Sequence, residues 1–235
     1  MGQYYKPIIL ESDRKTPVNY AYTHNVGCGL KLMEHSYFDN PVVNSVINFI
    51  AKAGGANLVW AGDYADPEPG TENEEFRDGL NLYSMTEGLP EMEYDTDTPN
   101  VAYLINEDKK EFVNLYNLSN LVSPVHPLPL LTVEGNGRGG GDYCGLNSDL
   151  VGRWARDFIV VSPGSYEKRK ELEANYTEIT PDFVETREMV YSLNTIAQLI
   201  KRAVARGDEE MGDKYNIEDL QKKVAELKTL VDTLA

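Results

Sequence analysis

The stretch from residue 134 to 145, EGNGRGGGDYCG, is the part of the sequence whose residue types are best suited to binding chemistry. Six of its twelve residues are glycine, and Arg138 stands among them. Because glycine has no Cβ and tolerates positive φ, several backbone N–H groups can converge on one ligand. Loops of this kind hold phosphates, and a guanidinium can add a bidentate contact. We therefore expect this Gly-rich loop to contact a ligand or a partner. The alternative is a tight connection against a packed surface.

The Gly-rich loop does not match a standard nucleotide-binding motif. No Gly-Lys-Ser/Thr follows it, and no helix is predicted to begin directly after it. Its candidate binding residues are Gly135, Asn136, Gly137, Arg138, Gly139, Gly140, Gly141, Asp142 and Tyr143. The neighbouring Cys144 is a candidate nucleophile together with His126, although a buried, inert thiol is the simpler interpretation.

Two further pairs of candidate binding residues lie outside the loop. Asp63 and Asp66 belong to GDYADPE, directly after the short apolar strand NLVWA, and strand ends are common places for functional carboxylates. Aspartate is also an ordinary residue for ending a strand, so the alternative is a simple turn. Arg153 and Arg156 precede Asp157 in GRWARD, where we expect a local ion pair near the loop.

The histidine and cysteine residues lack the spacing of a metal site. His24 and Cys28 stand four positions apart, but the sequence supplies no second pair of ligands. We expect neither a metal ion nor another cofactor.

Composition indicates a globular protein. Of the 235 residues, 41% are hydrophobic and 10% aromatic, enough for one core with a helical appendage. No apolar run approaches the roughly 18 residues that span a bilayer, and the N-terminus lacks the pattern of a signal peptide. Two cysteines are too few for a disulfide framework. We therefore expect a cytoplasmic protein without a membrane partner.

The net charge of −16 is concentrated between Gly62 and Asp97, and we call these residues the acidic segment. We expect them to form most of an insertion in the domain at about residues 62–99. It holds twelve acidic residues and one basic residue, Arg77, a local charge of −11. Such a field repels phosphates and argues against direct nucleic-acid binding. It would attract a basic groove on a partner protein; the simpler interpretation is a solvated loop.

The pattern along residues 1–165 predicts an α+β domain with a mixed or antiparallel sheet and one or two packed helices. QYYKPIILE and VNYAYTH predict an N-terminal hairpin, VAYLIN and KEFVNLY a second one, and DFIVVS a final strand. Asn40-Pro41 is a helix start, followed by apolar residues at three- and four-residue spacing up to Gly54. SPVHPLPLL has three prolines, so we expect an extended edge segment or loop there.

Residues 182–235 predict a C-terminal antiparallel two-helix hairpin. Apolar residues recur with heptad-like spacing from Met189 to Ala203 and from Ile217 to Leu234. Asn216 is a good N-cap for the second helix. The apolar seam could dock on the α+β domain, or it could form a homodimer or a partner surface.

Several motifs together resemble a family of conserved hypothetical proteins of bacteriophages and prophage-bearing bacteria. The motifs are MGQYYKP, GxGLKLMEHSY, VWAGDYAD and HPLPLLTVEGNGRGGGDY followed by VGRWARD, and they fall within roughly residues 1–160. The family has no assigned reaction, so the resemblance implies no catalytic residue. It implies a setting, namely an accessory protein in the host bacterial cytoplasm.

Two functions fit these observations. The first is a non-enzymatic phage-type accessory protein that binds a host protein, such as a nuclease of a defence system, through the acidic segment and the Gly-rich loop. The alternative is a domain that binds a nucleotide or another phosphate-bearing small molecule in the Gly-rich loop. In that case Asp63, Asp142 or His126 could assist hydrolysis.

Overall fold

The computed structural model describes residues 3–72, 75–119, 125–135 and 148–183. The chain divides into two compact units, Met1–Phe183 and Val184–Ala235. The predicted C-terminal helical hairpin lies almost entirely outside the described residues, so it remains a prediction.

The described part of the chain is α+β, as the sequence predicts, and its sheet is mixed. The strands are β1 (Tyr5–Leu10), β2 (Pro17–Tyr20), β3 (Ala56–Gly62), β4 (Tyr103–Asn106), β5 (Glu111–Asn114), β6 (Val133–Glu134), β7 (Phe158–Ser162) and β8 (Thr177–Glu178). Their order is β2-β1-β3-β7-β4-β5-β8, and β6 also pairs with β3. The β3–β6 and β5–β8 pairs are parallel, and the other pairs are antiparallel. Both predicted hairpins, β1–β2 and β4–β5, are therefore confirmed.

The helices are α1 (Leu32–His35), α2 (Pro41–Ala53), α3 (Tyr116–Ser119), α4 (Pro127–Thr132) and α5 (Tyr166–Asn175). Short 3-10 turns cover Thr23–Val26, Ser84–Thr86 and Ser148–Leu150. Helix α2 confirms the predicted helix start, because the Asn40 side chain accepts a hydrogen bond from the Val42 N–H at 3.0 Å. The helix ends at Ala53, and the next residue, Gly54, has a φ of +75° that favours glycine.

Helix α4 contradicts the prediction of an extended segment or loop at SPVHPLPLL. The Nδ1 atom of His126 accepts a hydrogen bond from the Leu128 N–H at 3.2 Å and caps the helix. Pro127 and Pro129 both lie in the first turn, where backbone N–H groups have no partner within the helix. The prolines therefore cost the helix no hydrogen bond.

Strand β3 lies at the centre of the core and is buried along its whole length. Val59 and Ala61 pack with Ile8 and Leu10 of β1 against Leu82, which comes from the acidic segment. The fully buried Trp60 donates its indole N–H to His35 Nε2 at 2.8 Å. Both faces of the sheet are thus covered at β3, and the acidic segment supplies part of the cover.

Candidate functional site

The two segments that carry candidate carboxylates and glycines leave the sheet side by side. One edge of β3 is shared, because Ala56 and Asn57 pair with β7 whereas Trp60 and Ala61 pair in parallel with β6. The carboxyl ends of β3 and β6 therefore lie next to each other. Asp63 follows the first and the Gly-rich loop follows the second. Pockets at the carboxyl ends of parallel strands are common ligand sites.

The first glycine of the loop, Gly135, is packed against the chain itself. A Cβ atom at this position would lie 2.8 Å from the Gln3 side-chain amide and 2.9 Å from the Tyr5 hydroxyl. A Cβ at Gly62 would lie 2.5 Å from the same amide. A larger residue at either strand end would have to displace the Gln3 side chain or Tyr5, so both glycines allow close packing against the start of the chain, which is the alternative considered for the loop. Among the glycines of the Gly-rich loop, this explanation covers Gly135, the one that lies within the described residues.

The other predicted residues of the loop lie outside the described residues. They are Asn136, Gly137, Arg138, Gly139, Gly140, Gly141, Asp142 and Tyr143. Their proposed contact with a ligand or partner remains a prediction.

Arg156 is held between two carboxylates. Its guanidinium forms ion pairs with Glu134 at the end of β6 and with Glu68 in the acidic segment, including an Nε–Glu134 Oε2 hydrogen bond of 2.7 Å. The hydrogen bond with Glu134 is the largest cause of a raised Arg156 pKa, and burial opposes it. Arg156 also has a φ of +69°, which a non-glycine residue adopts only when its surroundings enforce it. This side chain ties β6 to the acidic segment, so its charge is already compensated within the protein.

Arg153 has a separate partner, Glu111 of β5. Two hydrogen bonds of 3.1 and 2.6 Å join the guanidinium to the carboxylate, and the Trp154 indole N–H adds a third at 2.7 Å. Burial opposes ionisation of Glu111, but these hydrogen bonds outweigh it and lower the pKa. The predicted ion pairs of Arg153 and Arg156 with Asp157 are wrong, because Asp157 instead contacts Lys109 and Arg14.

Asp63 and Asp66 have different environments. The Asp63 carboxylate accepts a hydrogen bond from the Tyr4 N–H at 3.0 Å, and its own N–H donates to the Tyr4 carbonyl at 2.9 Å. Asp63 therefore continues the β1–β3 pairing into the turn. Asp66 is exposed and forms no hydrogen bond or ion pair with any residue in the described ranges. The Asp63 carboxylate is thus held by the backbone of Tyr4, whereas the Asp66 carboxylate faces solvent.

The acidic segment is anchored on the sheet by Lys6 of β1. The Lys6 ammonium is buried, donates a hydrogen bond to Thr86 Oγ1, and lies 3.8 Å from the ring centroid of Tyr83. Burial lowers the Lys6 pKa to about 8, although Glu87 and Glu91 oppose this shift. Leu82 and Met92 are buried as well. The described part of the segment is thus irregular with one short 3-10 turn, and it is fixed in place.

The carboxylates of the anchored segment point mainly to solvent. Glu68 and Asp95 have cationic partners, Arg156 and Lys52. Six exposed carboxylates form neither an ion pair nor a hydrogen bond with any described residue. They are Asp66, Glu72, Asp78, Glu87, Glu93 and Asp97. The surface of the acidic segment is therefore strongly negative.

The proposed pairing of His126 with Cys144 remains a prediction, because Cys144 lies outside the described residues. The ring is 3% exposed, packs 4.7 Å from the Phe38 ring, and caps α4 through Nδ1. Burial lowers the His126 pKa to about 3, so the imidazole is neutral at physiological pH. It lines a cavity of about 280 Å³.

Sequence reasoning missed the residues that organise these sites. Glu68 and Glu134 stand 88 and 22 positions from Arg156, so no local spacing links the three. Asn44, which also lines the cavity, falls outside the apolar spacing of α2 and gave no signal of burial.

No protein-family model, curated protein or solved structure matches the chain. The resemblance to a phage protein family therefore stays a prediction. Within the described ranges, no three His, Cys, Asp or Glu side chains are grouped so that they could hold a metal ion. No helix in the same ranges has the length and hydrophobicity needed to cross a bilayer.

Proposed function

We propose that this chain is a non-enzymatic binding protein that docks its acidic segment on a basic surface of a host protein. A phage-type accessory protein that blocks the nucleic-acid groove of a defence nuclease would work in this way. The observation that carries the proposal is that the acidic segment is fixed on the sheet while six of its exposed carboxylates form no ion pair or hydrogen bond with the described residues.

Anchoring of the acidic segment matters for binding because an ordered segment loses less conformational entropy when it meets a partner. The contacts of Lys6 with Thr86 and Tyr83 hold one part of the segment, and the Arg156–Glu68 ion pair holds another. The anchors also hold Leu82 over the core, and they present the exposed carboxylates on an ordered surface, which a purely solvated loop would not do. The anchors therefore favour a docking surface over the simpler interpretation.

The charge of the acidic segment determines which partner fits. Exposed carboxylates in one region create a potential that steers a basic surface toward them and raises the association rate at low salt. A groove that binds nucleic acid carries such a basic surface, because it must neutralise phosphates. The partner is therefore expected to be a nucleic-acid-binding protein, and nucleic acid should compete with this chain for it.

Capture from bacterial lysate tests the proposal with two matched variants. The segment variant carries Asp78→Asn, Glu93→Gln and Asp97→Asn. The helix variant carries Glu167→Gln, Glu171→Gln and Glu173→Gln on α5 and has the same net charge. A partner should be captured by the natural chain and the helix variant, be released by duplex DNA, and be lost with the segment variant. Equal capture by both variants would contradict docking through the acidic segment.

A second candidate function is binding of a phosphate-bearing ligand by the Gly-rich loop. It is favoured by the exit of the loop beside the carboxyl end of β3, where two parallel strands end together. Against it, Arg153 and Arg156 already have carboxylate partners. Melting temperatures with and without a panel of nucleotides test it, since a ligand at 100 times its Kd stabilises the folded state by about 2.7 kcal/mol.

A further inference from the structure

The cavity beside His126 combines apolar walls with two buried polar side chains. It has a volume of about 280 Å³, near the lower end of the range for ligand pockets. Phe38, Ile47 and Leu115 supply apolar wall, and Asn44 and His126 supply polar groups. No described residue of the Gly-rich loop or of the acidic segment belongs to its lining.

His126 presents a hydrogen-bond donor that its surroundings do not use. Nδ1 accepts the Leu128 N–H and is therefore unprotonated, so the proton of the neutral ring is on Nε2. The side chain is 3% exposed. Across the part of the chain that the structure describes, Nε2–H has no acceptor.

Asn44 presents the complementary acceptor. Its Nδ2 donates to the Thr96 carbonyl at 3.1 Å, which fixes the orientation of the amide and leaves Oδ1 without a donor among the described residues. Asn44 is 4% exposed. In the same ranges, the only fully inaccessible side-chain polar atom without a partner is Asn19 Oδ1. His126 Nε2 and Asn44 Oδ1 therefore reach open space, and the cavity is an open space that both residues line.

We propose that this cavity binds a small uncharged heterocycle of the nucleobase type. Such a ligand has a flat apolar ring for the Phe38 side of the cavity, an acceptor for His126 Nε2–H and a donor for Asn44 Oδ1. A purely apolar ligand would leave both polar groups unpaired, which is unfavourable in a buried site. An anionic ligand is disfavoured by the exposed Asp39 carboxylate in the lining and by the net charge of −16.

Titration with chosen probes tests both the site and the ligand class. Adenine, cytosine and uracil are the nucleobase probes, indole is a flat aromatic control without an acceptor, and AMP is the anionic control. At least one nucleobase should raise the melting temperature of the full chain and shift the NMR signal of the His126 imidazole. Indole and AMP should bind at least about tenfold more weakly, the effect of one lost hydrogen bond or more.

Two histidine variants separate the proposed contact from general effects. His126→Asn keeps an acceptor for the Leu128 N–H but removes Nε2–H, so nucleobase binding should weaken about tenfold. His24→Asn changes an exposed histidine and should leave binding unchanged. The proposal is overturned if no nucleobase perturbs the natural chain, if indole or AMP binds as well as the bases, or if His126→Asn binds normally. The NMR titration of the natural chain decides the matter even if His126→Asn does not fold.

Discussion

Lowering the pH should destabilise the fold through His126, and the size of the effect follows from its burial. The folded-state pKa is lowered from 6.5 to about 3, because desolvation disfavours the imidazolium. Between these two values the unfolded chain binds a proton that the folded chain does not bind. Stability is therefore lost as the pH falls below the unfolded value. Between about pH 7.5 and pH 4.5 the expected loss in the free energy of unfolding is about 2.6 kcal/mol. This figure hardly depends on the folded-state pKa, because the window ends above it.

Urea unfolding at a series of pH values, with the natural chain and His126→Asn, measures this loss. Asparagine keeps an N-cap acceptor for the Leu128 N–H but does not titrate. His24, His35 and the carboxylates are present in both proteins, so the difference between the two pH profiles isolates His126. The natural chain should lose about 2.6 kcal/mol more than the variant over the window. Parallel profiles would refute the assignment of a buried neutral imidazole.

Two further predictions concern the anchors of the acidic segment. Arg156→Gln should lower the free energy of unfolding by about 3 kcal/mol, because it leaves Glu68 and Glu134 without their cation; a loss below about 1 kcal/mol in urea unfolding would show that the ion pairs are not structural. For Lys6 the folded-state pKa of about 8 is below the usual 10.5, so the unfolded chain binds more protons between these values and stability should rise with pH. Urea unfolding between about pH 8 and pH 9.5 should show a gain of about 1 to 2 kcal/mol that Lys6→Met lacks, and an equal gain in both proteins would contradict the burial of this ammonium.

The elements that could be predicted from sequence are those with complete local signals. Helix α2 has an Asn-Pro start, an apolar stripe and a glycine end, all within about fifteen residues, and its packing agrees with each signal. The hairpins also depend on neighbouring residues. Helix α4 was mispredicted because a histidine serves as its N-cap and because its prolines all fall in the first turn. Helix α5 has a polar sequence with one buried residue, Leu172, and so lacks the periodic apolar signal.

The candidate sites could be predicted only as residue types, since their geometry depends on distant contacts. Asp63 and the start of the Gly-rich loop meet because β6, a strand of two residues, pairs in parallel with β3. A strand of two residues is too short to show an alternating pattern, so its pairing partner cannot be predicted from the sequence. Arg156 looked like a ligand-binding residue near the loop, but Glu68 and Glu134 approach it from remote parts of the sequence. The role of Arg156 therefore depends on ion pairs with residues far away in the sequence, which the local motif does not reveal.

The association rate between this chain and a captured host protein, measured over a range of ionic strength, tests docking through the acidic segment most directly. The natural chain and the α5 helix variant should associate rapidly at low salt and slow steeply as salt is added. The segment variant with Asp78→Asn, Glu93→Gln and Asp97→Asn should associate about tenfold more slowly at low salt and depend less on salt. Identical rates for the two variants, or a rate that salt does not change, would contradict the proposed function.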